Sequence, residues 1–299
     1  MILIGKRPGR LGNGLNLFAH FIAFSVQHDC PLANPAFFEY AHLFEGTYRS
    51  GLACRFPAKP ASMVPAPWVR NVSYRGLHVV LASLNDTGMV RWPLRIHSID
   101  LTKDCDLESD DFLRRVREGN LVVRGYRFRC PNLVRRHINV IRDFFRPIEI
   151  YRRQIDASLQ VARDGCDVLI GTHIRQTDYQ KFMNGDWFYP VARYHAWMRD
   201  LANQFPGQRV RFLVCSDGKL SADDFPDVDV TINRGSPVVD MYSLAGCDYL
   251  IGPPSSFSGW ASMYGDVPLR VLHPHDRHIG RNEFRVSGDV DFAPTTAAA

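Results

Sequence analysis

The sequence lacks any run of the roughly 18 to 20 consecutive apolar residues that a membrane-spanning helix needs. Its opening segment, residues 1 to 6, is also too short for a secretory signal, and it runs directly into a glycine-containing turn. It therefore predicts a first strand. Together these absences favour a protein that is made and kept in the cytoplasm.

Paired cysteines are absent as well. The seven cysteines are scattered, and no two of them form a Cys-x-x-Cys pair. This pattern excludes a disulfide framework and a zinc knuckle, so we expect the cysteines to be mostly buried, reduced and structural. In the second half, neither an Asp-x-Asp pair nor a His/Cys cluster lies at the end of a predicted strand. No metal site is therefore predicted; Asp223 and Asp224, in a predicted turn, are expected to be solvated.

Positive charge is only slightly in excess of negative charge. Lys and Arg number 36 against 31 Asp and Glu, which gives a net charge of +5. The arginines are spread rather than clustered with aromatic residues, which argues against a nucleic-acid-binding protein. A small basic excess suits an anionic small ligand or an anionic surface, so a peripheral membrane contact is compatible with it. Solubility is the alternative explanation.

The chain begins with a predicted strand (2 to 5), a glycine-rich turn (6 to 14) and an amphipathic helix (15 to 28). This order is typical of a nucleotide-binding half-domain, although the glycine spacing is not that of the dinucleotide fingerprint. Arg10 and Asn13 lie where they could reach a ligand at a helix N-terminus. Alternatively, the glycines serve only the dihedral angles of a tight turn.

The middle of the chain is harder to interpret. Residues 31 to 93 are irregular and rich in Pro, Phe and Trp, and their elements cannot be placed from the pattern. Further on, 110 to 118 predicts a helix, 121 to 125 a strand, and 132 to 145 a basic amphipathic helix that Pro147 ends. The arginines of that last helix are expected to be solvated.

Polar and charged residues follow three predicted strands of the second half, 168 to 171, 210 to 215 and 248 to 252. They are His173, Arg175 and Asp178 after the first strand, Ser216 and Asp217 after the second, and Ser255 and Ser256 after the third. In a parallel sheet, ligands bind beyond the carboxyl ends of the strands. An arginine fork suits a phosphate, and a serine-capped helix N-terminus binds anions. A phosphate site is predicted at this edge; charged surface loops are the alternative.

These motifs, in this order, resemble those of the α1,2-, α1,6- and protein O-fucosyltransferase superfamily, and most of all its bacterial α1,2 members. The resemblance covers the first helix and most of residues 121 to 265. The matching motifs are Gly9-Arg-Leu-Gly-Asn13, His173-Ile-Arg175 with Asp178, Ser216-Asp217, Asp240 followed by Asp248, and Ser255-Ser-Phe-Ser258.

The resemblance implies an α/β fold of the GT-B type, with two Rossmann-like domains facing a central cleft. Residues 1–150 would form an acceptor-side domain and residues 151–299 a GDP-sugar-binding domain. The implied reaction is a metal-independent, inverting transfer of L-fucose from GDP-fucose to a hydroxyl of a glycan acceptor. GDP-fucose would be the donor substrate, and no cofactor is implied.

The resemblance also implies residue roles. Arg175, with His173 beside it, would bind phosphate, Asp240 would bind guanine, and Ser255 and Ser256 would bind the pyrophosphate. Arg10 and Asn13 would approach the sugar and the diphosphate. The remaining members of the implied donor site are Asp178, Ser216, Asp217 and Phe257.

An inverting transfer also needs a base beside the acceptor hydroxyl. The candidate is Asp186, in a loop that corresponds to the one that holds a catalytic acid in the α1,6 branch. We expect Trp187, Phe188 and Tyr189 to desolvate its carboxylate partly. A helix cap is the alternative role of Asp186, and Asp178 is the rival base.

Three positions depart from the pattern: Gln176 replaces a second arginine, Gly14 replaces a glutamine, and a tryptophan is displaced to Trp260. Because Gln176 removes one positive charge from the predicted phosphate site, functions other than this fucosyl transfer remain open. These are transfer to a protein hydroxyl, use of another GDP-sugar, and a non-catalytic nucleotide-sugar-binding protein.

Overall fold

The computed structural model describes residues 1–86, 94–98 and 103–287, and its Cα atoms form two compact units, Met1–Ile148 and Glu149–Ala299. Within the described residues, the strands of the first unit are β1 (Ile2–Ile4), β2 (Leu32–Ala33), β3 (Arg55–Phe56), β4 (Leu94–Ser98), β5 (Cys105–Asp106), β6 (Asn120–Arg124) and β7 (Phe128–Arg129). Its helices are α1 (Leu11–His28), α2 (Glu45–Tyr48), α3 (Pro67–Asp86), α4 (Asp110–Arg117), α5 (Pro131–Arg136) and α6 (Ile138–Phe144), with a 3-10 turn at Pro35–Phe37.

The main sheet of the first unit has the order β3-β2-β1-β6-β4. All its pairs are parallel except β2 with β3, and Leu3 of β1 lies between Ala33 and Val122. A second, two-stranded parallel sheet joins β5 to β7. In its described part, the irregular stretch that follows the first helix contains the short strands β2 and β3, a 3-10 turn, the short helix α2 and the long helix α3.

The first helix differs from its prediction in two ways. It begins at Leu11 rather than at residue 15, so Asn13 lies inside its first turn. It is also not amphipathic, because every residue from Gly14 to Ser25 is buried. A largely apolar sequence on all faces lets the helix be enclosed, and the buried His20 is tied to the chain beyond β7, because its Nδ1 accepts from the Cys130 amide at 3.0 Å.

The predicted helix over 132 to 145 is in fact two helices, α5 and α6, separated at His137. The backbone of His137 leaves the helical region (φ −107°, ψ 21°), and its ring lies 3.1 Å from Gln27 Oε1 on α1. Contact with α1 therefore accompanies a break that no Gly or Pro marks in the sequence.

The second unit is a five-stranded, fully parallel sheet with the order β10-β9-β8-β11-β12. In the described part its strands are β8 (Val168–Ile174), β9 (Val210–Ser216), β10 (Val230–Ile232), β11 (Tyr249–Gly252) and β12 (Leu269–Val271). Its helices are α7 (Glu149–Arg163), α8 (Val191–Ala202), α9 (Pro237–Leu244) and α10 (Ser256–Gly265), with 3-10 turns at Phe182–Gly185, Ala222–Asp224 and Arg281–Glu283.

The central strand β8 is buried along its whole length, as a strand covered on both faces should be. Gly171 is needed there, because a Cβ at this position would lie 2.5 Å from Leu250 and 2.7 Å from Leu244. The strand runs three residues beyond its predicted end, so His173 lies within it rather than after it. Helix α8 begins at Val191, after Pro190, and the ring of Tyr189 packs in the core against Tyr194 and Trp197.

Candidate functional site

The strand order of the second unit creates a crevice between β8 and β11. Counted within this unit, the strands lie in the order 3-2-1-4-5, so the chain progresses outward in opposite directions from the β8–β11 pair. Such a switch point is where doubly wound sheets bind ligands, beyond the carboxyl ends of the strands. His173 lies near the end of β8, Arg175 directly follows that strand, and Ser255 follows β11.

Arg175 is held by carboxylates and is largely shielded from solvent. Its side chain is 13% exposed, and its Nε and Nη2 atoms donate to the two oxygens of Asp178 at 2.7 and 2.8 Å. An oxygen of a second carboxylate, Asp217 Oδ2, lies 3.2 Å from Arg175 Nε. No described residue accepts a hydrogen bond from Arg175 Nη1. This nitrogen can therefore bind an anion while the two carboxylates fix the orientation of the guanidinium.

Asp217 also fixes the backbone that carries Arg175. Its Oδ1 accepts from the amide of Gln176 at 2.7 Å, and its Oδ2 accepts from the Thr177 hydroxyl at 2.6 Å. Burial opposes the charge of Asp217, but these hydrogen bonds and Arg175 lower its pKa on balance. The predicted site residue Ser216 has a local role, since its Oγ accepts from the Gly218 amide at 3.0 Å.

Gln176 does not extend the positive charge of the site. Its Nε2 donates to the carbonyl oxygen of Tyr189 at 3.0 Å. The residue that replaces the second arginine therefore ties the Arg175 loop to the segment before α8. It adds a structural link and no charge.

His173 links β8 to the start of α10. Its Nδ1 lies 3.1 Å from Ser258 Oγ, and its ring stacks on Phe257 with centroids 4.7 Å apart. Burial lowers the pKa of His173 to about 3, so the ring is neutral at physiological pH. A neutral imidazole that contacts Ser258 and Phe257 can position the start of α10, but it cannot contribute positive charge.

Ser255, the first of the two serines that follow β11, is the N-cap of α10. Its buried hydroxyl oxygen accepts from the Phe257 amide at 3.2 Å. Tyr179 connects this cap to the arginine: its hydroxyl donates to Pro254 O at 2.6 Å, and its ring centroid lies 5.4 Å from the Arg175 guanidinium carbon. A guanidinium and a helix N-terminus, both suited to anions, are thus joined through one side chain.

Asp240 lies in the first turn of α9 and is mostly buried. Its Oδ1 accepts from Asn233 Nδ2 at 2.8 Å and from the Gly235 amide at 3.1 Å, and no described residue donates to its Oδ2. Burial raises the pKa of Asp240 to about 7. An acceptor held in a desolvated site can discriminate between ligands by their N–H donors.

Asp186 follows the 3-10 turn and is exposed. It does not cap α8, whose N-cap is Pro190, so the helix-cap alternative is excluded. The neighbouring aromatic group differs from the predicted one: Phe182 stacks on Tyr179 (5.5 Å) and lies 5.7 Å from Trp187. Tyr189 is not available to it, because its hydroxyl donates to Leu272 O within the core.

Arg10 and Asn13 belong to the first unit. Arg10 is exposed and precedes α1, and Asn13 Nδ2 donates to Pro8 O at 3.2 Å. Gly9 adopts a φ of +123° that other residues rarely take, which lets the turn deliver Arg10 to the helix start. Their roles toward a ligand of the second unit remain predictions.

The crevice thus brings together one set of the predicted residues: His173, Arg175, Asp178, Asp217, Ser255 and Phe257. Sequence reasoning gave no role to Tyr179, Thr177 or Asn233, which hold that set or Asp240 in place. Asn233 directly follows β10, and polar residues after strands were the signal used elsewhere, so the same signal could have identified it.

Other features are reported for the described residues alone. Among them, no three His, Cys, Asp or Glu side chains are grouped in a way that could hold a metal ion. None of the described helices has both the length and the apolarity to span a membrane. All seven cysteines are free thiols.

No protein-family model and no curated protein sequence matches the chain. Solved structures do match it. A mutant of Arabidopsis thaliana FUT1 in complex with GDP has 12% identity and a TM-score of 0.60, over 95% of this chain and 72% of that one. The fucosyltransferase NodZ from Bradyrhizobium has 17% identity and a TM-score of 0.53, over 92% and 95% of the two chains.

A further structure, of NodZ α-1,6-fucosyltransferase soaked with GDP-fucose, has 18% identity and a TM-score of 0.51, over 91% of this chain and 94% of that one. These likenesses establish the fold. The predicted α/β fold class, with Rossmann-like units of the GT-B type, is confirmed.

Proposed function

We propose that the chain is a glycosyltransferase that moves L-fucose from GDP-fucose to a hydroxyl of a glycan acceptor. The observation that carries this proposal is the shielded Arg175, oriented by two carboxylates at the switch point and joined through Tyr179 to the N-terminus of α10. The fold likeness to proteins whose structures contain GDP or were soaked with GDP-fucose supports the same donor.

In this proposal the second unit binds the donor. The diphosphate lies between the Nη1 side of Arg175 and the N–H groups at the start of α10, near Ser255 and Ser256. Guanine donates its N1 and N2 hydrogens to Asp240. Asp178 and Asp217 act on the donor indirectly, because they orient Arg175 rather than face a phosphate.

The reaction needs the leaving GDP to be stabilised. As the acceptor oxygen forms a bond to the anomeric carbon of fucose, the bond from that carbon to the phosphate oxygen breaks and negative charge grows on the diphosphate. Arg175 and the helix N-terminus face that charge, which is the arrangement that lowers such a barrier without a metal. We therefore propose inversion in a single, metal-independent displacement.

Asp186 is the proposed base that takes the proton from the acceptor hydroxyl. It is exposed, makes no described hydrogen bond, and lies beside Trp187, which could stack on an acceptor sugar. Asp178, the rival base, is occupied by its two hydrogen bonds with Arg175. Arg10 and Asn13 are proposed to approach the sugar and the diphosphate from the first unit, which would serve the acceptor.

A second candidate function is a nucleotide-sugar-binding protein without catalysis. It is favoured by Gln176, whose amide is bound to Tyr189, and by the balance of one arginine against two carboxylates at the crevice. Such a site attracts a diphosphate less strongly than one with a second arginine would.

The test is to incubate the chain with GDP-fucose and to measure released GDP with and without acceptors. Turnover that depends on an acceptor supports the transferase, whereas GDP-fucose binding without any turnover supports the binding protein. A screen of GDP-sugars, glycans and peptides then decides the donor and the acceptor. It would also separate the α1,2 linkage indicated by the motifs from the α-1,6 linkage named for NodZ.

A further inference from the structure

A long segment of the first unit contains no acidic residue. Between Glu45 and Asp86 the sequence has Arg49, Arg55, Lys59, Arg70 and Arg75 but no Asp or Glu. The segment therefore carries +5, which equals the formal net charge of the whole chain. All of these basic residues except Arg70 are exposed.

Helix α3, within this segment, presents an apolar face to solvent. Trp68, Val72, Arg75 and Val79 follow one another at spacings of four, three and four residues, which places them on one side of the helix. The three apolar residues are 69%, 62% and 63% exposed. A helix on the surface of a globular unit ordinarily turns polar residues outward, so this face needs another explanation.

The opposite face of α3 is fixed to the unit. Arg70 Nη2 donates to Ser50 O at 2.6 Å, and Tyr74 stacks on Phe38 with centroids 4.9 Å apart. Leu81, on the same side, is 2% exposed. Because these contacts anchor the helix, the Trp68 side cannot turn inward without breaking them.

Exposed apolar residues also flank the α3 face. Met63 and Val64 are exposed, and so is Val80 on the helix. Of the 14 large hydrophobic side chains that are exposed among the described residues, eight lie between Tyr48 and Val80. Exposed apolar groups and unopposed positive charge therefore coincide in one part of the chain.

We propose that the α3 face, defined by Trp68, Val72, Arg75 and Val79, docks the protein on a lipid surface that carries negative charge. Apolar side chains and a tryptophan suit the boundary between headgroups and acyl chains, and exposed basic residues suit anionic headgroups. A second copy of the chain is a poorer occupant, because it would place two acid-free basic surfaces against each other. This inference does not rest on the proposed transferase activity.

The experiment measures binding of the full chain to vesicles of phosphatidylcholine, with and without phosphatidylglycerol, by co-sedimentation. We expect binding to the anionic vesicles alone, and a decrease with added salt because the attraction is screened. Arg75→Glu should weaken binding about 25-fold, since each unit of charge near such a surface changes the binding constant about fivefold. The combined Trp68→Ser, Val72→Ser and Val79→Ser variant should lose about 100-fold.

Matched controls come from the second unit. Val161 on α7 is 62% exposed, as Val72 is, and Arg199 is an exposed helical arginine of α8. Val161→Ser and Arg199→Glu should bind the vesicles as the unmodified chain does. Circular dichroism spectra and unfolding temperatures should be the same in all variants, which shows that they are folded.

Absent binding to anionic vesicles, or equal binding by the α3 variants and the controls, would overturn the proposal. So would a dimer that the triple variant disrupts while no vesicle binding is seen, because the face would then join two copies of the chain.

Discussion

Replacement of Asp240 by Asn should stabilise the protein at alkaline pH. Burial raises the pKa of Asp240 from 3.8 to about 7. Since one pKa unit corresponds to about 1.36 kcal/mol, keeping this carboxylate charged in the native state costs up to about 4 kcal/mol. The amide oxygen of Asn could still accept from Asn233 and Gly235, so the hydrogen bonds at that position need not be lost.

The direction in which stability changes with pH follows from the raised pKa of Asp240. The native state favours the protonated form, so the contribution of Asp240 to stability is fully present below pH 3.8 and is lost as the pH rises to about 7. The advantage of Asp240→Asn over the unmodified chain should therefore be largest above pH 7 and absent near pH 4. At about 2 to 4 °C per kcal/mol, the unfolding temperature could rise by roughly 10 °C.

The same substitution should harm the proposed guanine contact. A charged Asp240 accepts from two guanine N–H groups, whereas Asn presents a donor to them. The Kd of GDP for the unmodified chain should rise about tenfold for each pH unit below 7, and the Asn variant should bind weakly with little pH dependence.

Scanning calorimetry between pH 5 and pH 8 measures the unfolding temperature, and titration with GDP over the same range measures its Kd. Asp223→Asn, which changes an exposed aspartate, is the control. Equal stability of the Asp240→Asn variant and the unmodified chain at pH 8, together with a GDP affinity independent of pH, would refute the reasoning.

Three further predictions concern the proposed base, the absence of a metal from the reaction and the role of Gln176. Asp186→Asn should leave GDP binding intact and lower transfer by roughly 10² to 10⁴, as expected for the loss of a general base; transfer at the unmodified rate would exclude this role. EDTA should leave activity unchanged; loss that manganese restores would contradict the metal-independent displacement. Gln176→Glu should destabilise the second unit by about 1 to 3 kcal/mol, because a carboxylate cannot donate to Tyr189 O; an unchanged urea midpoint would show that this hydrogen bond contributes little.

Much of the second unit could be predicted from its sequence because its signals are local. Apolar runs that end in polar residues located β8, β9 and β11, and the two serines that follow β11 indicated a capped helix N-terminus. The order of strands and helices is typical of nucleotide-binding domains, whereas the GT-B fold was implied by the resemblance of the motifs. These features depend on neighbouring residues, which a sequence displays directly.

What could not be predicted depends on distant contacts. The pairing of Asp217 with the backbone of Gln176, or of Tyr179 with Pro254, joins residues far apart in the chain. The orientation of Gln176 toward Tyr189 likewise follows from packing, so its identity alone suggested only a missing charge. Helix α3 escaped prediction because its outward face is apolar, which removes the polar periodicity by which a surface helix is recognised.

The most direct test of the central claim is a calorimetric titration of GDP into the unmodified chain and into Arg175→Ala. The control is Arg209→Ala, which removes an exposed, ion-paired arginine that precedes β9. We predict that Arg175→Ala weakens GDP binding by about 2 to 4 kcal/mol, or roughly 30- to 700-fold, whereas Arg209→Ala does not. Equal GDP affinity in the folded Arg175→Ala variant and the unmodified chain would contradict the assignment of this crevice as the diphosphate site.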